Sequence, residues 1–176
     1  MAAGRISEAE AFATVRHEGQ VRKGPGNVPY VTHCRQVAEL VEEHGGDENA
    51  IIAAWLHDTV EDTSATIEEI ELLFGPEVAS IVREVTDDPN LETSDARQRQ
   101  IDSAAGKSPG AALVKAADQT SNLLSIVNTP PPPFWSHEKR AAYISKARAV
   151  VEGLPAPPSL KSVFEAAAKA ADAVTD

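Results

Sequence analysis

The sequence predicts an all-α protein folded as one compact domain over residues 1–176, and three observations predict it. Apolar residues recur at spacings of three and four, and almost nowhere at the spacing of two that marks a half-buried strand. Helix-start signals stand just before most of these periodic stretches. The chain has 176 residues, 42% hydrophobic and 24% charged, which is what a single core of that size requires. A chain of this length buries roughly 70% of the surface its unfolded form exposes, so it needs no covalent staple. Cys34 is the only cysteine and excludes an intrachain disulfide.

The elements follow in order. Ser7 with Glu10 reads as a capping box opening a first helix that runs to about Glu18. Gly19 to Pro29 holds three glycines and two prolines and is a loop. Thr32 caps a second helix with Val37, Leu40 and Val41 on one face, stopped by Gly45-Gly46. Asp47 caps a third, which buries Ile51, Ile52, Trp55, Leu56 and Val60. Thr66 with Glu69 repeats the capping-box pattern before Ile70, Leu73 and Phe74. Gly75-Pro76 ends that helix and starts the next, up to Val85.

Thr86 to Leu91 is polar, contains Pro89 and is expected to be exposed. A charged helix from Asp95 to about Ala104 follows. Ser108-Pro109 then starts a long apolar helix through Leu113, Val114, Ala117, Leu123 and Val127. It is stopped by the run Pro130 to Pro133, a stiff surface connection. Ser136 caps a helix ending at Gly153. Residues 155–176 supply a C-terminal packing helix whose stripe is Leu160, Val163, Phe164, Ala167, Ala171 and Val174.

Charge narrows the function. The formal net charge of −11 repels nucleic acid and anionic membranes over most of the surface, so neither is an expected partner. An anionic ligand needs a local exception, and Arg16, Arg22, Lys23 and Arg35 cluster near the N-terminus with His17 and His33. Met1 to Val15 lacks the apolar core of a secretory signal, and no stretch approaches the roughly 20 apolar residues of a membrane span. A cytoplasmic location is the expectation.

The chemistry concentrates at residues 57–62, His57-Asp58-Thr59-Val60-Glu61-Asp62, at the end of an otherwise apolar helix. Helical spacing sets His57 over Glu61 and Asp58 over Asp62. Like charges packed this closely repel unless a cation compensates them, and a bound divalent metal is the economical compensator. His33 sits in the first turn of a helix beside the glycine-rich loop, and Asp118 lies on the long apolar helix, where an unpaired carboxylate is costly to bury. Together His33, His57, Asp58 and Asp118 offer two imidazoles and two carboxylates, a set that suits Mn, Fe or Zn better than calcium.

Five stretches in this order carry a resemblance. They are residues 17–24 (His-Glu-Gly-Gln-Val-Arg-Lys-Gly), 29–33 (Pro-Tyr-Val-Thr-His), 54–63 (around His57-Asp58), 84–88 (Glu-Val-Thr-Asp-Asp) and 115–123 (around Asp118). The chain resembles the HD-domain phosphohydrolases, and within them the small alarmone hydrolases of the Mesh1 type and the hydrolase domain of the bifunctional RelA/SpoT enzymes. The resemblance spans about Ala11 to Leu154 and implies a helical HD-domain fold in which His33, His57, Asp58 and Asp118 bind one metal, manganese in that family.

It further implies that Glu61 and Asp62 are the acidic pair working on the attacking water. Arg22 and Lys23 become a basic pair near the nucleotide, Asn122 a ligand-proximal asparagine, and Tyr143 a wall of the nucleotide pocket. Cys34 stands where that family often has proline, Gln119 where a lysine is common and Leu124 where an arginine is common. The implied activity is metal-dependent hydrolysis of the 3′-pyrophosphate of guanosine tetra- or pentaphosphate, giving GDP or GTP and pyrophosphate. The same ligands would serve an HD phosphohydrolase acting on another nucleotide phosphate, such as a deoxynucleotide or NADPH. A non-catalytic nucleotide-binding protein is the alternative of a different class.

Overall fold

The computed structural model describes residues 2–88, 90, 93–129 and 135–174. Among them the protein is helical throughout, with one isolated bridge between Val21 and Pro29 and no strand. The helices are α1 (Ala2–Arg16), α2 (Val31–Glu43), α3 (Glu48–Leu56), α4 (Thr59–Asp62) and α5 (Ile67–Phe74), followed by α6 (Pro76–Val85), α7 (Thr93–Ser103), α8 (Pro109–Asn128), α9 (His137–Gly153) and α10 (Pro158–Asp172). The expected all-α class is borne out. No helix among the described residues is long and apolar enough to cross a membrane.

The centre of the molecule is α8, packed against α2, α3, α6, α9 and α10. It is buried on nearly every side because its middle turns are built from small residues. Ala111, Ala112, Val114, Ala116 and Ala117 are fully inaccessible and let neighbouring helices approach closely. The second central element, α3, is buried along its whole length from Ala50 to Leu56. These two helices bring His57 and Asp118 to one end of the core.

Several helix starts follow the sequence closely. Asp47, Ser108 and Ser136 accept the backbone N–H of Ala50, Ala111 and Lys139, at 2.9, 3.3 and 3.4 Å. Thr66 accepts from Glu69 N at 3.2 Å, but the Glu69 carboxylate turns away to pair with Arg16, so only half of that capping box forms. Gly75, with φ of +96°, makes the turn between α5 and α6, and Pro76 begins α6. On α10 the stripe is buried at Leu160, Phe164, Ala167 and Ala171, while Val163 is half-buried and Val174 lies past the helix end. The run 130–133 lies outside the described residues.

Four expectations need correction. The first helix begins before Ser7, because Arg5 donates to Glu48 at 2.5 Å and to the Phe74 carbonyl at 2.9 Å, fastening an earlier turn to α3 and α5. The second helix is entered at Tyr30, and the Thr32 hydroxyl donates to the Pro29 carbonyl at 2.7 Å instead of capping. The third helix ends at Leu56. There His57 Nδ1 takes the Ala54 carbonyl and the Thr59 hydroxyl takes the Leu56 carbonyl, both at 2.7 Å, displacing the main-chain donors before α4 resumes. Finally, Thr86 to Asp88 is half-buried, not exposed: Asp87 stands in the wall of the cleft described next, and all three line a second cavity beside it.

Candidate active site

The break between α3 and α4 turns His57 and Asp58 toward α2 and α8. His57 Nε2 lies 3.2 Å from His33 Nε2 and 3.0 Å from Asp58 Oδ2. His33 Nε2 is 3.3 Å from Asp58 Oδ2 and also 3.3 Å from Asp118 Oδ1, which is 3.8 Å from His57 Nε2. Both histidines are buried. His33, His57, Asp58 and Asp118, read from three separate stretches of sequence, are thus brought together. The pairing expected from helical spacing is not the one made, since His57 turns to its neighbour Asp58 and Glu61 reaches Asp87.

The outer ring nitrogens fix the tautomers. His57 Nδ1 faces the Ala54 carbonyl, which can only accept, so Nδ1 carries the hydrogen. His33 Nδ1 lies 2.9 Å from Ser121 Oγ, whose single hydrogen is given to Gln36 Oε1 at 2.6 Å. His33 Nδ1 is therefore the donor there as well. In the neutral rings both Nε2 atoms then present lone pairs to each other and to two carboxylates. Such a set repels itself until a proton or a metal ion enters, so His33, His57 and Asp58, with Asp118 beside them, fit a divalent ion.

The electrostatics agree. Burial works against the charged form of His57, but the carboxylates of Asp58 and then Asp118 outweigh it and raise its pKa to about 9. Burial would raise Asp58, yet the two imidazoles hold it well below the carboxylate range. Against the same penalty, Lys115 first and then the histidines lower Asp118 to about 2.

Each carboxylate has its orientation fixed. The Tyr30 hydroxyl donates to Asp58 Oδ2 at 2.7 Å. Asn122 Nδ2 donates to Asp118 Oδ1 at 2.8 Å, Gln119 Nε2 to Asp118 Oδ2 at 3.2 Å, and the Lys115 ammonium stands 3.5 Å from that second oxygen. A lysine buried inside the apolar run of α8, three residues before an aspartate, was the signal by which sequence reasoning would have found Lys115. Tyr30, Gln36 and Ser121 carried no comparable signal, because their partners come from other helices.

A cleft of about 270 Å³ opens over this cluster. Glu61 and Asp62 stand on its wall, and Tyr143 and Asn122 line it. Loss of solvent, together with the charges of Asp87 and Asp58, raises the Glu61 pKa to about 7, although its carboxylate accepts the Asp87 N–H at 2.5 Å. Asp62 is raised for the same reasons, burial first and Asp58 second. The Arg22 guanidinium reaches Ser121 and Asn122 at 3.4 and 3.3 Å beside the cluster. Lys23 is exposed and is not among the residues lining the cleft. The wider basic cluster does not form, since Arg16 pairs with Glu69 and Arg35 with Glu10. Cys34 is buried, and burial pushes its thiol pKa up, consistent with an apolar role.

An all-helical domain that gathers two histidines and two aspartates from α2, the α3–α4 junction and α8 is the arrangement of an HD-type domain. Residues 9–144 match the HD domain family. A guanosine-3′,5′-bis(diphosphate) 3′-pyrophosphohydrolase, MESH1, from Drosophila melanogaster is 43% identical over 153 residues, covering 85% of this chain and 84% of that protein. MESH1 from Homo sapiens is 41% identical over 154 residues, 86% of each. A solved structure titled "A metazoan ortholog of SpoT hydrolyzes ppGpp and plays a role in starvation responses" superposes with a TM-score of 0.88 at 38% identity over 94% of each chain. The chain belongs to the HD-domain family and, within it, to the MESH1 group.

Proposed function

We propose that the protein hydrolyses the 3′-pyrophosphate of guanosine tetra- or pentaphosphate to GDP or GTP and pyrophosphate. His33, His57, Asp58 and Asp118 hold the divalent ion in this reading, manganese being the ion the family resemblance implies. When bound, such an ion supplies positive charge against the attacked phosphate and makes a water acidic enough to react near neutral pH. The supporting observation is the convergence of two bare imidazole nitrogens and two carboxylates beneath a glutamate whose pKa is raised to about 7.

The chain's own groups carry the proton traffic. A water oxygen bonds to the phosphorus attached to the nucleoside 3′ oxygen, and the bond between that phosphorus and the 3′ oxygen breaks. Glu61 takes the proton that the water loses, and Asp62 assists protonation of the leaving 3′ oxygen. Both are poised for this because burial and neighbouring carboxylates raise their pKa values. Arg22 and Asn122 hold the nucleotide and Tyr143 lines its pocket, while Lys23, exposed outside the cleft, is given no contact in this reading. The location that fits such a nucleotide is the cytoplasm.

The test is pyrophosphate release from guanosine tetraphosphate with manganese, run beside deoxynucleotides and NADPH, with His57→Ala as control. The reading expects guanosine tetraphosphate to be preferred and His57→Ala to be inactive. Preference for another nucleotide would reassign the substrate, and tight binding without turnover would make this a nucleotide-binding protein.

A further inference from the structure

The cleft over the histidine cluster does not end at α8. A second cavity of about 220 Å³ adjoins it, and Val85, Asp87, Ala96, Gln100 and Lys115 stand in the walls of both. The two spaces differ in charge. Around the first, Lys115 and Lys146 face the carboxylates of Asp58, Glu61, Asp62, Asp87 and Asp118. Around the second, Lys115 is joined by Arg83, Arg99 and Lys107, against Glu84, Asp87 and Asp88.

Two cations of the second cavity are paired, Arg99 with Asp88 at 3.4 Å and Arg83 with Glu71 at 3.9 Å, and each of its acids accepts further hydrogen bonds. Glu84 Oε2 accepts the Ser108 N–H at 2.8 Å, Asp87 Oδ2 accepts from Gln100 at 2.5 Å, and Asp88 Oδ1 accepts twice from Asn90 at 3.0 Å. The Lys107 ammonium spends one hydrogen on the Glu84 carbonyl, at 2.5 Å, and has two left. Burial disfavours the charge on Lys107, and the charge of Lys115 disfavours it further. Two crowded ammonium groups at one cavity make a place for an anion, just as crowded carboxylates make a place for a cation.

We propose that this second cavity seats the outer phosphate of the 3′-diphosphate, held by Lys107 and Lys115, so that the diphosphate leaves as one unit. The proposal rests on the phosphohydrolase reading above and names the substrate group that the reading leaves unassigned. Lys115 joins the two sites: it stands 3.5 Å from Asp118 Oδ2, at the metal cluster, and lines the adjoining cavity. A substrate with a single 3′-phosphate would fill the first site and leave the second empty. The cavity thus selects a diphosphate over a monophosphate.

The experiment reads binding as well as turnover, so the two readings fail separately. Inorganic pyrophosphate and inorganic phosphate are titrated calorimetrically into the manganese-loaded protein, for the natural chain, Lys107→Met, Lys107→Arg and Arg99→Gln. The expected result is pyrophosphate binding at least about tenfold tighter than phosphate, the ratio collapsing in Lys107→Met and recovering in Lys107→Arg. Arg99→Gln, on an exposed side chain, should lower the ratio with no change in melting temperature, which covers the case that Lys107→Met fails to fold. An unchanged ratio in both Lys107→Met and Arg99→Gln would overturn the proposal. Loss of guanosine tetraphosphate hydrolysis in the natural chain with the ratio intact would sink the activity and leave the subsite standing.

Discussion

His33 and His57 aim their Nε2 atoms at each other across 3.2 Å, each with its Nδ1 hydrogen committed on the far side of the ring. Two lone pairs this close, with Asp58 and Asp118 between 3.0 and 3.8 Å away, form an arrangement that only a positive charge makes stable. In the metal-free protein a proton does this. In the loaded protein an ion replaces it.

Metal binding should therefore release a proton. With its pKa raised to about 9, His57 is mostly protonated in the metal-free protein at about pH 7.5, whereas a metal requires the neutral ring. Titrating manganese calorimetrically in buffers of different ionisation enthalpy should show roughly one proton released near neutral pH, falling toward none above about pH 10. Heats that do not depend on the buffer would contradict this protonation state.

Ser121 meets His33 at Nδ1, on the far side of the ring from the ligand atom Nε2, so it tests the outer support. Ser121→Ala leaves that N–H, Gln36 and Arg22 without their common partner. Manganese affinity should drop about 10- to 100-fold, the range typical when such a support is removed. An unchanged dissociation constant would mean that the tautomer is fixed in another way.

With Glu61 as the proposed acceptor of the water's proton, its pKa sets the expected pH dependence. A carboxylate raised to about 7 is protonated below that pH and cannot accept a proton, so kcat should fall as pH drops through about 7 and level off above it. Glu61→Gln should abolish this limb together with turnover, while manganese still binds. Turnover by Glu61→Gln would remove Glu61 from the mechanism.

The packing role of α10 separates stability from chemistry. Leu160 is fully buried on that helix, against a core that is continuous with α8. Leu160→Ala should cost about 2–5 kcal/mol in chemical denaturation, within the range for a buried leucine, and leave KM unchanged at low temperature. A loss of under about 0.5 kcal/mol would place Leu160 outside the cooperative core.

What the sequence revealed depended on how local the cause was. The caps at Asp47, Ser108 and Ser136 and the turn at Gly75-Pro76 act within a few residues, and each stands where the pattern predicts. The extended start of α1 and the break after Leu56 depend on Arg5 reaching two other helices and on side chains capturing carbonyls, which periodicity does not encode. The cluster was legible because His57-Asp58 and Asp118 are expensive in apolar helices. Their supports were not, since Ser121 meets Gln36 across 85 positions and Tyr30 meets Asp58 across 28. The expected basic patch dissolved because neighbouring acids from other helices took Arg16 and Arg35.

Four side chains from three places in the chain are proposed to hold one divalent ion. Manganese counted by elemental analysis after equilibrium dialysis, on the natural protein and on single alanine variants of His33, His57, Asp58 and Asp118 with helical content checked, tests it most directly. One ion per chain is expected in the natural protein and almost none in each folded variant. A full equivalent of manganese retained by folded His33→Ala or His57→Ala would contradict it.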